Sequence, residues 1–309
     1  MKRMMWLTSV LLLSGLVACG QKPKVPAATP ANNTLLCRIT GNGLQKPSYL
    51  FGTMHMLCAD DIELSDSLRT AIGRADQVYL ELDMDNMFEM LGAMQNMKMR
   101  GDTTLSDLLT KDEYKKVKEH FNAKGGLMPF AMLENFKPLM TAAMLSEQQF
   151  ATCDHMISME QLIMKEAKNA DIPLKGLETM NYQLSIFDKI PYKLQAKQLY
   201  QMITRTDKHE KDELTILTDA YRKQQLEKLE ELTTKDDMGI QNFTDVLLYD
   251  RNKNWTEKMQ SMMSKSSVVV AVGAGHLPGQ KGVINLLRKA GYKVDPVKND
   301  MIKKTVKQI

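Results

Sequence analysis

Two histidines follow apolar segments in the same short frame. Residues 52–55 read Gly-Thr-Met-His and come directly after a short apolar run, while residues 273–276 read Gly-Ala-Gly-His and come after a run rich in valine. Glycines allow a sharp turn or a close approach to a ligand. A side chain just beyond a buried strand stands where open α/β sheets bind their ligands. The repeated frame therefore predicts one shared site that contains His55 and His276.

Two carboxylates at the ends of further apolar segments supply the other groups of a catalytic metal site. Glu81 lies near the end of one such segment, and Glu178 ends another. Imidazole and carboxylate ligands suit a divalent ion, here manganese, cobalt or zinc, that keeps one position open for water. We expect His55, His276 and Glu81 to bind this ion. Glu178 is a further candidate, as a ligand, a general base or a residue that orients a histidine.

Each of these residues has an ordinary structural interpretation as well. A single histidine at the end of a strand is more often structural than catalytic. The matching pair of histidines, together with a glutamate at the end of a strand, favours a functional site.

The elements that position these residues follow from the apolar pattern. The run at 266–272 is typical of a strand buried on both faces. Two short apolar runs between 35 and 51 predict a hairpin. A capped helix over 65–75 then leads to a strand at 77–83, and such a connection is a right-handed parallel crossover. Long helices occupy the middle of the chain, so the sequence predicts an α/β fold.

The first 33 residues predict a targeting signal followed by a tether. Residues 1–18 have a positively charged start and a short apolar stretch, as signal peptides do. Residues 16–19, Leu-Val-Ala-Cys, resemble a bacterial lipobox, which predicts a lipidated Cys19; a chance cysteine after an ordinary cleaved signal is the alternative. Residues 19–33 contain three prolines and predict a tether, and residues 34–309 a single domain. We therefore expect a lipid anchor in the bacterial cell envelope, at the outer membrane or at a membrane surface that faces the periplasm.

Charge and cysteine content narrow the alternatives. The formal charge of +4 gives no argument for nucleic-acid binding, and we expect none. Beyond Cys19 the chain has Cys37, Cys58 and Cys153. An exported protein can pair two of them, and Cys58 with Cys153 is then the favoured pair because both lie near the candidate site segments; the sequence supports three free buried thiols at least as well.

Methionines recur three or four residues apart after the strand at 77–83. They are Met84, Met87, Met90, Met94 and Met97. Such spacing places side chains on one face of a helix. We favour a core face over the alternative, an adaptable groove for apolar or peptide substrates.

Several segments together resemble the TraB/GumN family, which includes the Tiki metalloproteases. They are 49–55, 81–83, 176–179 and 272–279, with the Arg-Asn pair at 251–252 and Trp255. The resemblance runs from about residue 35 to residue 297 in the family's order. It implies a fold related to the erythromycin-esterase and ChaN-like proteins, with a mixed, largely parallel sheet flanked by helices and a long helical insertion. It also implies a metal-dependent hydrolase, since the animal Tiki members cleave peptide bonds.

The hypothesis that combines these observations is metal-assisted hydrolysis of a peptide or a small ester or amide. Metal-bound water would attack the carbonyl, a carboxylate (Glu81 or Glu178) would take the proton, and Arg251 would stabilise the oxyanion or fix a carboxylate. Two alternatives remain. One is an envelope lipoprotein that binds haem or iron without chemistry, and the other is a module that binds a protein partner.

Overall fold

The computed structural model describes residues 33–124, 128–149, 153–204, 207–234 and 240–303. These residues belong to one compact unit, Asn33–Ile309. The predicted signal peptide, Cys19 and all but the last residue of the tether fall on Met1–Asn32, outside the described residues. None of the helices in the described ranges is long and apolar enough to cross a membrane.

A six-stranded mixed sheet forms the centre of the protein. The strands of the described chain are β1 (Leu36–Gly41), β2 (Ser48–Thr53), β3 (Leu57–Cys58), β4 (Gln77–Leu82), β5 (Met156–Ile157), β6 (Leu174–Glu178), β7 (Val268–Gly273) and β8 (Tyr292–Pro296). The sheet has the order β6-β4-β7-β2-β1-β8, and β3 pairs with β5 in a separate ribbon. The neighbours β6, β4, β7 and β2 all run parallel, whereas β1 is antiparallel to both β2 and β8. The predicted mixed, largely parallel sheet and its first hairpin are confirmed.

Helices surround this sheet and fill the middle of the chain. In the described ranges they are α1 (Asp66–Arg74), α2 (Met87–Ala93), α3 (Leu105–Leu108), α4 (Lys111–Lys124), α5 (Phe130–Leu133), α6 (Pro138–Gln149), α7 (Met159–Asn169), α8 (Met180–Phe187), α9 (Tyr192–Thr204), α10 (Asp207–Arg222), α11 (Leu226–Thr234), α12 (Asp250–Met263) and α13 (Val283–Lys289). The predicted helix at 65–75 is α1. Its N-cap is Ser65, whose hydroxyl accepts a hydrogen bond from the Leu68 N–H at 3.1 Å.

Strand β7 is buried on both faces, as its valines predict. Val269 and Ala271 join the core that contains α1 and α7, and Val268, Val270 and Val272 join the core that contains α12 and α13. Each fully buried valine contributes on the order of 1.5–3 kcal/mol. The strand that leads to His276 is therefore held in a well-packed layer.

The helical insertion between β4 and β6 has a core of its own. Leu105, Val117, Phe130 and Leu145 pack there, and Leu199 of α9 completes the cluster after the chain has returned through β6. The insertion thus forms a helical body beside the sheet, and its first helix, α2, follows directly from the end of β4.

The interpretation of the methionine repeat as a core face is wrong for three of its five methionines; Met97 is half-buried, and the side chain of Met90 lies outside the described part of the structure. Large apolar side chains around α2 are exposed to solvent: Met84 44%, Met87 62%, Phe88 90%, Leu91 61% and Met94 49%. Met84 precedes the helix, and α2 gives way after seven residues to a 3₁₀ turn, Met94–Met97. The helical period is therefore not kept along the repeat, and spacing alone did not indicate which side of α2 would face its neighbour, α8.

A disulfide bond joins Cys58 to Cys153, across 95 positions of sequence. The favoured pairing is confirmed, and the alternative of three free thiols is wrong. Cys37 is the free, buried cysteine, and burial raises the pKa of its thiol to about 12. The bond links β3 to the segment that leads into β5, so it closes the ribbon that β3 and β5 form.

Candidate active site

The ends of four neighbouring parallel strands bring the predicted residues to one edge of the sheet. His55 follows β2 and His276 follows β7, while Glu81 and Glu178 lie at the ends of β4 and β6. Thr53 is aligned with Gly273, and Leu82 is aligned with Glu178. The parallel order β6-β4-β7-β2 therefore brings residues that are more than 200 positions apart in sequence to the same edge of the sheet.

The first glycine of each Gly-x-x-His segment makes this close approach possible. A Cβ on Gly52 would lie 3.0 Å from Leu277 Cδ2 and 3.1 Å from Ala274 Cα, so the loop after β7 packs directly onto β2. A Cβ on Gly273 would lie 3.3 Å from Glu81 Oε1. Both glycines belong to strands, and neither makes the sharp turn that the sequence predicts. Their lack of a side chain brings protein groups together.

Arg251 is at the centre of the cluster. Its Nη2 donates to Glu81 Oε2 at 2.5 Å and to Glu178 Oε2 at 2.9 Å, and its Nε donates to Glu178 Oε1 and Oε2 at 3.3 and 3.1 Å. Nη1 donates to the Leu247 carbonyl at 3.2 Å and lies 3.3 Å from His276 Nε2. A fork of donors that reaches two carboxylates is a role for which arginine is suited and lysine is not. The guanidinium thus holds both glutamates in place.

The helix that carries Arg251 begins with an irregular turn. Asp245–Tyr249 is a π-helix that runs directly into α12, and it supplies the Leu247 carbonyl that Arg251 contacts. Such π-turns occur frequently at functional sites. The guanidinium also lies 4.6 Å from the centre of the buried Trp255 ring, which adds a cation–π contact. Both contacts fix the direction of the arginine side chain.

Glu81 is ionised and largely buried, with 18% of its side chain accessible. Burial would raise the pKa of its carboxyl, but the positive charge that His276 carries at low pH, the charge of Arg251 and the N–H of Gly273 lower that pKa to about 2. Oε1 accepts the Gly273 N–H at 2.8 Å. Gln183, which sequence reasoning missed, donates from Nε2 to Oε2 of both Glu81 and Glu178 at 3.2 Å. A carboxylate held in this way is suited to carry negative charge and is a weak proton acceptor.

His276 is buried and held as one tautomer. Its Nδ1 lies 2.6 Å from Asn252 Oδ1, and Asn252 Nδ2 donates to the Lys281 carbonyl at 2.9 Å, which sets the orientation of the amide. His276 therefore donates its Nδ1–H, and Nε2 carries the lone pair. Nε2 lies 3.9 Å from Glu81 Oε1. Burial, the largest effect, and the charge of Arg251 lower the pKa of His276 to about 4, so the imidazole is neutral near pH 7.

His55 is exposed but has a carboxylate partner. Its side chain is 70% accessible, and its Nδ1 lies 3.0 Å from Oε1 of Glu160, in the first turn of α7. Burial would raise the pKa of Glu160, but the hydrogen bond from His55, and the positive charge of that ring when it is protonated, lower it, so the carboxylate is ionised and accepts the Nδ1–H. In the neutral form of His55 the lone pair is then on Nε2, as in His276.

Sequence reasoning missed Glu160. The capping box at 158–161 places this glutamate in the first turn of α7. Nothing in the local pattern indicated that this turn would lie beside the loop after β2. Asn252 was visible only as part of the Arg-Asn pair, without a role.

A cleft of about 460 Å³ opens beside these groups. His55, Glu81, Glu160 and Gln183 contribute polar groups to its lining. The remaining walls are mainly apolar: Met56, Leu80, Leu82, Met84, Met156, Ile157 and Met164. This volume and this mixture of walls are typical of sites for small molecules or for a few residues of a peptide.

The side chains of this cluster are of the types that bind divalent ions. Neutral imidazoles that bind through Nε2, together with an ionised carboxylate, are the ligands that catalytic zinc and related ions use. The Nδ1–H of each histidine also donates a hydrogen bond to an oxygen, as histidine ligands of metals usually do with their second nitrogen. Across the described ranges, however, no three His, Cys, Asp or Glu side chains already converge on one point. The carboxylate of Glu81 instead faces Arg251.

The fold and this cluster define an α/β protein with a histidine–carboxylate site at the carboxyl ends of parallel strands. A model of the TraB/PrgY/gumN family matches residues 35–296, so the chain belongs to that family.

Two curated relatives are metalloproteases by name. The chain is 23% identical over 303 residues to "Metalloprotease TIKI2" of Xenopus tropicalis, an alignment that covers 81% of this chain and 57% of that protein. It is 29% identical over 75 residues to "Metalloprotease TIKI homolog" of Amphimedon queenslandica, covering 22% of this chain and 15% of that protein. The chain thus spans little more than half of the first relative. No solved structure is significantly similar to it. At these identities the relatives point to a metalloprotease-like function but assign neither ion nor substrate.

Proposed function

We propose that this protein is a metal-dependent hydrolase of amide or ester bonds. One observation carries the proposal: two histidines from adjacent parallel strands each have Nδ1 bound to an oxygen, at 3.0 Å for His55 and 2.6 Å for His276. Histidine ligands of metals usually donate their second ring N–H to such an oxygen. The names of the curated relatives add support of the same kind.

His55, His276 and Glu81 are the side chains that would hold the ion. Bound there, a manganese, cobalt or zinc ion would supply the Lewis acidity that brings the pKa of water towards neutrality. Asn252 and Glu160 keep the two imidazoles in the tautomer that such binding requires.

Arg251 has the role of fixing carboxylates in this proposal. Its donors already reach Glu81, Glu178 and the Leu247 carbonyl, so the oxyanion role that the sequence left open is the less favoured of the two. Glu178 is deeply buried, with 2% of its side chain accessible, and it contacts Arg251 and Gln183. Glu178 therefore fixes Arg251 and Gln183, which both also bind Glu81. We do not assign it the role of taking a proton from water in the cleft.

The substrate we propose is a peptide, or a small ester or amide, with apolar groups beside the reacting carbonyl. The apolar walls of the cleft suit apolar substituents, and methionine side chains adapt to different shapes.

We also propose that the protein works in the bacterial cell envelope, held by a lipid on Cys19. The Leu-Val-Ala-Cys pattern at 16–19 supports this. Mass spectrometry of the membrane-bound protein would detect the lipid, and an unmodified Cys19 would contradict the proposal.

Metal binding tests the function directly. The full chain, stripped of metal, is titrated calorimetrically with manganese, cobalt and zinc, beside His55→Ala and His276→Ala. We expect about one ion per chain in the parent and at least a tenfold loss of affinity in each variant, since a ligand is removed. His120→Ala is the control, because His120 lies on α4 of the helical insertion. Ions that bind equally well to both variants, or to none of the proteins, would rule the site out.

Turnover is measured on the same proteins with a library of peptides and esters. We expect hydrolysis that depends on the added ion and is lost in His55→Ala. Full activity of that variant would contradict the mechanism.

A further inference from the structure

An exposed imidazole needs a partner if it is to act at a defined point. His55 has 70% of its side chain accessible, so packing does little to restrict its rotamer. His276, by contrast, is 7% accessible and lies 4.5 Å from the Trp255 ring. The two histidines of the proposed site are therefore held by different means.

Glu160 is well placed to hold His55. Its side chain is 16% accessible, and its Oε1 lies 3.0 Å from His55 Nδ1. It lies in the first turn of α7, where the helix dipole favours a negative charge. The Ser158 and Gln161 side chains cap this turn, so its backbone is well defined.

The two segments that carry this pair are joined at several points. The Met159 N–H donates to the Met54 carbonyl at 3.1 Å, one residue away from each partner. The ribbon pairs β3 with β5 next to them, and the Cys58–Cys153 bond closes it. His55 and Glu160 are thus fixed to each other although they are 105 positions apart in sequence.

We propose that Glu160 is the positioning residue of His55: it accepts the Nδ1–H, so that the neutral imidazole carries its lone pair on Nε2, and it holds the ring in a fixed direction in the cleft. This inference rests on the proposed function in one respect, namely that Nε2 of His55 binds the metal ion. The contact itself, and the tautomer it selects, do not depend on a bound ion.

The first test is the tautomer of His55, read from the ¹⁵N shifts of its ring in the metal-free full chain. The measurement is made at about pH 8, above the ordinary histidine pKa of about 6.5. The His55 signals are identified by their absence in His55→Ala. We expect the Nδ1–H form in the parent and in Glu160→Asp, and a shift towards the Nε2–H form in Glu160→Ala. An unchanged tautomer in Glu160→Ala would overturn the proposal.

The second test is metal affinity by calorimetry with manganese, cobalt and zinc. We expect Glu160→Ala to bind about 10–100-fold more weakly, the usual effect of removing a partner of a histidine ligand, with partial recovery in Glu160→Asp. The matched control is Glu166→Ala, on the same helix, since Glu166 pairs with Arg69 outside the cleft. Equal losses in both variants would indicate damage to α7 and would overturn the proposal.

The two tests separate this inference from the proposed function. A parent protein that binds no ion but loses the Nδ1–H form in Glu160→Ala contradicts the function and supports the positioning role. A parent that binds an ion with the same affinity and tautomer as Glu160→Ala supports the function and overturns the positioning role.

Discussion

Replacing Arg251 by methionine should destabilise the protein strongly, because two enclosed carboxylates would lose their counter-charge. The side chains of Glu81 and Glu178 are 18% and 2% accessible, and both are bound by the guanidinium. Removing one partner from a buried ion pair costs about 3–5 kcal/mol, since the other charge remains desolvated. We expect Arg251→Met to lower the free energy of unfolding by about that amount near pH 7.

The assay is urea unfolding followed by far-ultraviolet circular dichroism. Arg222→Met is the matched control, since Arg222 forms a more exposed pair with Asp61 at 3.2 Å, with side chains 31% and 47% accessible. Such surface pairs contribute about 0–1 kcal/mol. A loss below about 1 kcal/mol in Arg251→Met, or equal losses in both variants, would refute the reasoning.

The effect of Arg251→Met should also depend on pH. The pKa of Glu81 is lowered in the folded protein from 4.5 to about 2. The stability linked to this shift is therefore present above the unfolded pKa and is lost as the pH falls from about 4.5 towards 2. Without Arg251 the folded pKa of Glu81 rises, so the variant has less of this stability to lose. The difference between the two proteins should be smaller at about pH 3 than at about pH 7, and a constant difference would contradict the assignment.

Two further predictions concern the disulfide bond and the exposed helix α2. Cys58→Ser with Cys153→Ser should lower the free energy of unfolding by about 4 kcal/mol, from the loop entropy of a bond that spans 95 positions; a loss below about 1 kcal/mol in urea unfolding would show that the ribbon is held mainly by other contacts. Phe88→Ser should change the stability by less than about 0.5 kcal/mol, because the ring is 90% accessible. A loss above about 2 kcal/mol would show that α2 is packed in solution, and Phe130→Ser, at a buried position of the helical insertion, provides the contrasting large effect.

The local sequence pattern was sufficient to predict the strands and the edge of the sheet at which the site lies. A run such as Val268–Gly273 can be buried only between two helical layers, and parallel strands present their carboxyl ends together. His55, His276, Glu81 and Glu178 could therefore be placed at one edge from the amino-acid sequence alone. The disulfide partners were chosen on the same basis, by their nearness to that edge.

The methionine repeat shows a feature that the local sequence pattern could not predict, namely which face of a helix is buried. Helical spacing indicates a shared face, but which face is buried depends on what packs against it. Around α2 the described structure leaves Met84, Met87 and Met94 substantially exposed, and the period itself ends at Met94–Met97.

The chain by itself determined which groups are available: two imidazoles, two strand-end carboxylates and an arginine, each on an element whose type the local sequence specifies. Only the tertiary structure decided how they are used. Arg251 contacts Glu81 across 170 positions, Glu160 contacts His55 across 105, and Asn252 sets the tautomer of His276 from a neighbouring helix. The physical reason is that protonation and orientation depend on distances of about 3 Å between side chains. Those distances are set by how the helices pack on the sheet, which no single segment of the sequence specifies.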